Sequence, residues 1–216
     1  MKNNKHPSLK ENAYHLIKEK LMNLKIAPGT RIREDLIAEE ISMSRTPVRE
    51  AISLLVSEGL IKLVPRKGLF FIELSPEEIN DLIDVRCALE ALAVTICIDR
   101  IDEEVESRLE EIIKSAEESL AKADYEACNE MDSLFHKEIA WSTGNQKLIQ
   151  YLEEIEDFMH IARSLEKKTQ AKQKSTCSVK QHWQIFNSIK ARNKIEAKDA
   201  VIRNVEQLRL HLGLEP

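Results

Sequence analysis

Asp132 and His136 stand four residues apart in Met131-Asp132-Ser133-Leu134-Phe135-His136, a spacing that puts both side chains on one face of a helix. One carboxylate oxygen and one imidazole nitrogen so placed can chelate a divalent metal. The same spacing also serves an ordinary surface pair or a satisfied polar contact. Further candidate donors lie on later segments: His182 in Gln181-His182-Trp183-Gln184-Ile185, and Asn204, 22 residues beyond it. Arg86 occurs among core-facing residues, where its guanidinium would suit a bidentate grip on a carboxylate ligand or an ion pair with Glu90 one turn on. Trp141, Phe158 and Trp183 are expected in the core rather than around a ligand.

A second group is basic. In Ser44-Arg45-Thr46-Pro47-Val48-Arg49-Glu50-Ala51-Ile52 the apolar positions Val48, Ala51, Ile52 and Leu55 share one helical face, which leaves Arg45 and Arg49 together on the opposite one. Upstream, Leu36–Ile41 reads as another short helix and Ser42-Met43 as a tight turn, a helix-turn-helix pattern. A guanidinium in the first turn of the second helix can donate two hydrogen bonds to guanine O6 and N7. Leu60–Val64, then Pro65-Arg66-Lys67-Gly68, then Leu69–Ile72 is a hairpin signal, so a two-stranded wing follows, tipped by Arg66 and Lys67. Gly68 there would allow close backbone approach to phosphate or the minor groove.

The elements that must hold these residues are mostly helical. Ser8-Leu9-Lys10-Glu11 is a capping box opening a helix to about Leu24, and Ser75-Pro76-Glu77-Glu78 opens another to about Ile98. Helices are predicted near 103–122, 125–143, 146–168, 175–191 and 194–212, and the polar, lysine-rich 166–175 reads as a frayed helix end or a mobile connection. After residue 75 the only glycines are Gly144 and Gly213, which favours a bundle over a sheet. The expected chain is mainly α: a winged helix-turn-helix with a small two-stranded wing over 1–74, and an all-α helical bundle over 75–216. Charge divides the same way, with 13 Lys and Arg against 9 Asp and Glu in residues 1–75, and 19 against 28 in the rest. A basic front and an acidic back suit a nucleic-acid module joined to something else. No run reaches the ~20 apolar residues of a membrane span, and Met1–Lys5 lacks a signal core. Cys87, Cys97, Cys128 and Cys177 have no CxxC spacing, so reduced thiols in a cytoplasmic protein without a membrane partner are expected.

Gly29-Thr30-Arg31-Ile32, Leu36 and Ala38, SRTPVREAI, the EGL at 58–60 and the RKG turn together resemble the DNA-binding domain of GntR-superfamily transcription regulators over about residues 8–74. That resemblance implies that Arg45, Thr46 and Arg49 contact double-stranded operator DNA, with Gly68 at the wing. Asp35 stands where many members carry arginine, so Arg31 or Arg33 would take over that phosphate contact. The helical half resembles the FCD-type effector domain of the FadR-like branch, through Arg86 and Glu90, Asp132-x3-His136, Ser142-Thr143-Gly144-Asn145, and His182 with Ile185 and Ile189. The resemblance implies a zinc- or nickel-like ion held by one Asp and three His, a small carboxylate effector completing its coordination, and a homodimer on a roughly palindromic site. Asp132, His136 and His182 match that set, whereas Asn204 replaces the third His. An amide oxygen is a harder, weaker ligand, so the site would hold a weaker or oxygen-preferring ion, bind through water, or take its effector without metal. The expected function is therefore effector-controlled DNA binding, not catalysis. A helical-bundle metalloenzyme built on Asp132, His136 and His182 is the alternative, against which stand the lack of an evident general base and of any cofactor fingerprint.

Overall fold

The computed structural model describes residues 8–169 and 178–214, and of 166–169 the backbone alone. Cys177, the first residues of the chain, and most of the lysine-rich connection lie outside the described residues. The chain divides into two compact units, Met1–Leu74 and Ser75–Pro216.

In the first unit α1 (Leu9–Met22) starts where the sequence places a cap: Glu11 N donates to Ser8 Oγ at 3.2 Å and Ser8 N to Glu11 Oε2 at 2.7 Å. Two orphan amide donors are thereby satisfied. α2 (Glu34–Glu40) and α3 (Arg45–Ser57) follow, and α1 and α2 pack on α3. Ala13, Ile17, Leu21, Val48, Ile52 and Leu55 close this core. The wing consists of β2 (Ile61–Val64) and β3 (Gly68–Phe71), antiparallel with Ile61 opposite Phe71. It is wider than the predicted two-stranded ribbon. Arg31–Ile32 forms β1 and pairs with β3, Arg31 opposite Phe70, giving a three-stranded sheet in the order β1-β3-β2. Two residues are too short for alternation to register in the sequence, and only the free edge of β3 makes them a strand.

The second unit is all helical among the described residues. α4 (Pro76–Arg100) opens on a second capping box, Glu78 N to Ser75 Oγ at 3.2 Å and Ser75 N to Glu78 Oε2 at 2.7 Å. α5 (Glu103–Ala121), α6 (Tyr125–Ser142), α7 (Gln146–Thr169), α8 (Val179–Lys190) and α9 (Lys194–His211) complete the bundle. α4 packs against α6, α7, α8 and α9, and so runs through the middle. Ile83, Val94, Leu109, Ile113, Phe135 and Phe186 are fully buried around it. Trp141 departs from the expectation of a core residue: it is 44% exposed, and its indole N–H donates to Glu153 at 3.1 Å. Cys87, Cys97 and Cys128 are free thiols.

Candidate nucleic-acid face and metal centre

In the first unit the recognition side chains are held by a buried back and an exposed front on α3. Pro47, Val48, Ala51, Ile52 and Leu55 are buried, while Arg45, Thr46 and Arg49 are exposed. Arg33, Arg45 and Arg49 line one open cleft with Arg31, Glu34, Asp35 and Gly68. Arg66 and Lys67 are exposed at the turn between β2 and β3, where Arg66 itself adopts φ +63°. Gly68 has φ +108°, and a Cβ there would lie 3.2 Å from Arg31 Nε, so glycine both permits the backbone and leaves room for that guanidinium.

Two acidic residues, not anticipated as partners, hold the arginines. Arg49 Nε donates to Glu34 Oε2 at 3.2 Å, and the Arg49 side chain stays exposed. Arg33 forks onto Asp35, Nη2 to Oδ2 at 2.6 Å and Nε to Oδ1 at 3.3 Å. This hydrogen-bonded pair holds the half-buried Asp35 carboxyl below its ordinary pKa. Asp35 thus pairs with one of the two arginines, Arg31 and Arg33, expected to take over a phosphate contact.

In the second unit α6 brings Asp132 and His136 to the interior and α8 brings His182 to meet them; all three are buried. Their donor atoms lie within 4.8 Å of one another. His182 Nε2 sits 3.2 Å from Asp132 Oδ1 yet makes no hydrogen bond among the described residues, so the two are juxtaposed without being aligned. Phe135 stacks on the His182 ring at 4.4 Å between centroids and fixes its plane. Burial by itself would raise the pKa of Asp132, but the imidazoles of His182 and His136 and the Arg163 guanidinium hold it well below the carboxylate range. An ionised carboxylate and two imidazoles converging with an unsatisfied nitrogen are a donor set that fits a divalent ion.

The wall behind this set is a buried charge network. His136 Nδ1 lies 2.7 Å from Glu90 Oε2, Arg86 Nε donates to Glu90 Oε1 at 3.0 Å, and Arg86 Nη1 donates to Glu156 Oε2 at 3.0 Å. Glu156 also accepts from Ser133 Oγ at 2.6 Å and from Arg163. Burial opposes ionisation of Glu156, but Arg163 and Arg86 outweigh it and bring its pKa down to about 2. Burial likewise disfavours the charged form of His136, and Glu90 reverses the sign, so its pKa rises. Arg86 is therefore engaged by two carboxylates. Glu90 was visible from the sequence as its i+4 neighbour; Glu156 and Arg163, seven apart on α7, gave no signal.

Asn204 does not join the cluster of three in the same way. Its Nδ2 donates to Gln181 Oε1 at 2.9 Å. It does line a narrow crevice, with room for little more than one water molecule, together with Arg86, Asp132, His136, Val205, Leu208 and His211. His211 had not been singled out in the sequence, since a lone histidine at a helix end carries no spacing signal.

Known proteins bear on both units. Residues 9–71 match the bacterial regulatory proteins of the gntR family, and residues 81–207 match the FCD domain. The chain is 30% identical over 191 residues to the HTH-type transcriptional regulator YdhC of Bacillus subtilis, covering 88% of this chain and 84% of that one. It is 27% identical to the Nta operon transcriptional regulator of Aminobacter aminovorans, over 83% of each. In fold it is similar to Escherichia coli McbR/YncC, with a TM-score of 0.81, 21% identity, and 96% and 98% of the two chains covered. A putative GntR regulator from Rhodococcus superposes with a TM-score of 0.75 at 19% identity, over 97% and 100%. The chain belongs to the GntR family of transcriptional regulators and carries an FCD effector domain behind its helix-turn-helix.

Proposed function

We propose that this regulator binds operator DNA as a homodimer and that a small carboxylate effector, held at a divalent metal in the bundle, shifts its DNA affinity. Arg45, Thr46 and Arg49 would read the major groove from α3, and Arg66, Lys67 and Gly68 would meet the backbone from the wing. Arg33 would contribute only after release from Asp35. Asp132, His136 and His182 would hold the ion, and Asn204 would lie beside it, not among its strongest ligands. When bound, the metal supplies Lewis-acid attraction for an anionic ligand. The residues do the rest: Glu90 orients His136, and Arg86 holds Glu90 in place from behind.

The observation that carries this reading is the buried Asp132–His136–His182 cluster with the His182 Nε2 unpaired. Charge supports it. Two buried guanidiniums, Arg86 and Arg163, face three buried carboxylates, Glu90, Asp132 and Glu156, which leaves one negative charge when the imidazoles are neutral. A divalent ion overcompensates by one, and a single effector carboxylate restores balance. Linkage then requires the effector to prefer one arrangement of the bundle. Elemental analysis and mass spectrometry of gently purified protein test the reading. Metal near one equivalent per chain, lost in His182→Ala, is the expected result. Metal absent, and not taken up on titration with zinc or nickel, would remove the ion from this account.

A further inference from the structure

Two arginines of the open cleft on the first unit are each paired with a carboxylate of α2, but through different atoms. Asp35 takes both Nε and Nη2 of Arg33, and so occupies one whole edge of that guanidinium. Glu34 takes Nε of Arg49, at 3.2 Å. A guanidinium can offer a base two parallel N–H bonds, from Nη1 with Nη2 or from Nε with one Nη. With Nε given to Glu34, the pair left to Arg49 for the O6 and N7 of guanine is Nη1 with Nη2. Glu34 is the better fixed of the two partners. It is the first residue of α2, whose Ile37 and Ala38 are buried, and its side chain is 27% exposed against 68% for Arg49. Both residues line the cleft together with Arg45 and Gly68.

We infer that Glu34 is a positioning residue for sequence reading: it holds the Arg49 guanidinium so that Nη1 and Nη2 address a guanine in the major groove. This rests on the reading role proposed for Arg49 on α3. A free arginine side chain samples many rotamers and can bind any phosphate in reach, which adds affinity without discrimination. Glu34 opposes both tendencies. Its hydrogen bond removes part of the freedom that Arg49 would otherwise lose on meeting a base. Its negative charge makes the Arg49 end of the cleft less attractive to phosphate. The pair thus trades general DNA affinity for selectivity, while adding little to the fold as a surface pair.

Binding titrations of the full chain over a range of salt test the inference. The probes are a duplex selected by the wild type from a random library and an unrelated duplex of equal length. Glu34→Ala should lower the ratio of the two affinities about tenfold, within the range set by one bidentate base contact. Its salt slope on the unrelated duplex should steepen by about one, because the released Arg49 can take a phosphate. Glu34→Gln keeps an acceptor for Nε and should retain most of the discrimination. A merely structural role would instead shift the thermal melt and change both affinities alike. In the Arg49→Ala background, Glu34→Ala should leave discrimination unchanged, since the two residues act through one guanidinium. Discrimination that survives Glu34→Ala, or that falls as far in the Arg49→Ala chain as in the wild type, would overturn the inference while leaving Arg49 as a reader. Discrimination untouched by Arg49→Ala alone would overturn the reading role of Arg49, and the role of Glu34 with it.

Discussion

Glu90 Oε2 lies 2.7 Å from His136 Nδ1, with both side chains buried, so the hydrogen on that ring sits between them and the Nε2 lone pair is directed away. A carboxylate behind an imidazole fixes its tautomer and makes it a better ligand. Arg86 holds the other oxygen of Glu90 and in turn reaches Glu156 on α7. The orientation of one candidate ligand on α6 is thus set from α4 and braced from α7.

Glu90→Gln should therefore lower metal affinity by about tenfold or more, the usual cost of losing such a support. It should also destabilise the fold, because Arg86 keeps only Glu156 as a buried partner. Competition with a chromogenic chelator beside a urea titration measures both. Unchanged metal affinity would show that His136 needs no carboxylate behind it.

The pH responses of the empty and loaded protein should run in opposite senses at His136. Its folded pKa is raised above 6.5, so the stability it contributes without metal is complete below 6.5 and is lost as pH rises through the folded value. Metal needs the neutral ring, so metal affinity should climb over that same rise. Glu156, lowered from 4.5 to about 2, contributes stability above 4.5 that is lost as pH falls from there toward 2. Urea midpoints of metal-free wild type should fall in that acid window, with a flatter profile for Glu156→Gln. Parallel profiles would assign the acid sensitivity to other carboxylates.

Asn204→His should raise zinc or nickel affinity by at least tenfold, roughly 1.4 kcal/mol, since imidazole suits these ions better than an amide. His136→Ala in the same background should abolish the gain, because one ion needs both rings. The substitution also breaks the bond to Gln181, which frees α9 from that contact. An affinity that stays put in Asn204→His while falling in His136→Ala would place residue 204 outside the coordination sphere.

On the DNA side, Arg49→Ala should cost about 1–3 kcal/mol of operator affinity with little effect on the thermal melt. The side chain is 68% exposed and its pair with Glu34 is a surface pair, worth little to folding. Lys67→Ala should weaken operator and unrelated DNA alike and reduce the salt slope by about one. A changed preference among sequences at an unchanged slope would instead make the wing a reader of bases.

The sequence by itself determined what depends on neighbours along the chain. Capping boxes at Ser8 and Ser75 and the apolar faces of α3, α5 and α8 are local, and their helices start and stop within a few residues of where periodicity and caps put them. Asp132 and His136 were legible as a pair because a single helix fixes their spacing. Contacts across elements were decided only by packing. Arg31–Ile32 is a strand because β3 offers an edge, Arg33 is withheld by Asp35, and Arg86 meets Glu156 from a helix seventy residues away. Convergence of His182 on Asp132, and the location of His211 in the same crevice as Asn204, likewise follow from how α6, α8 and α9 close around α4. Spacing along one helix is carried by covalent geometry, whereas the meeting of two helices is set by the whole core, which no short stretch of sequence contains.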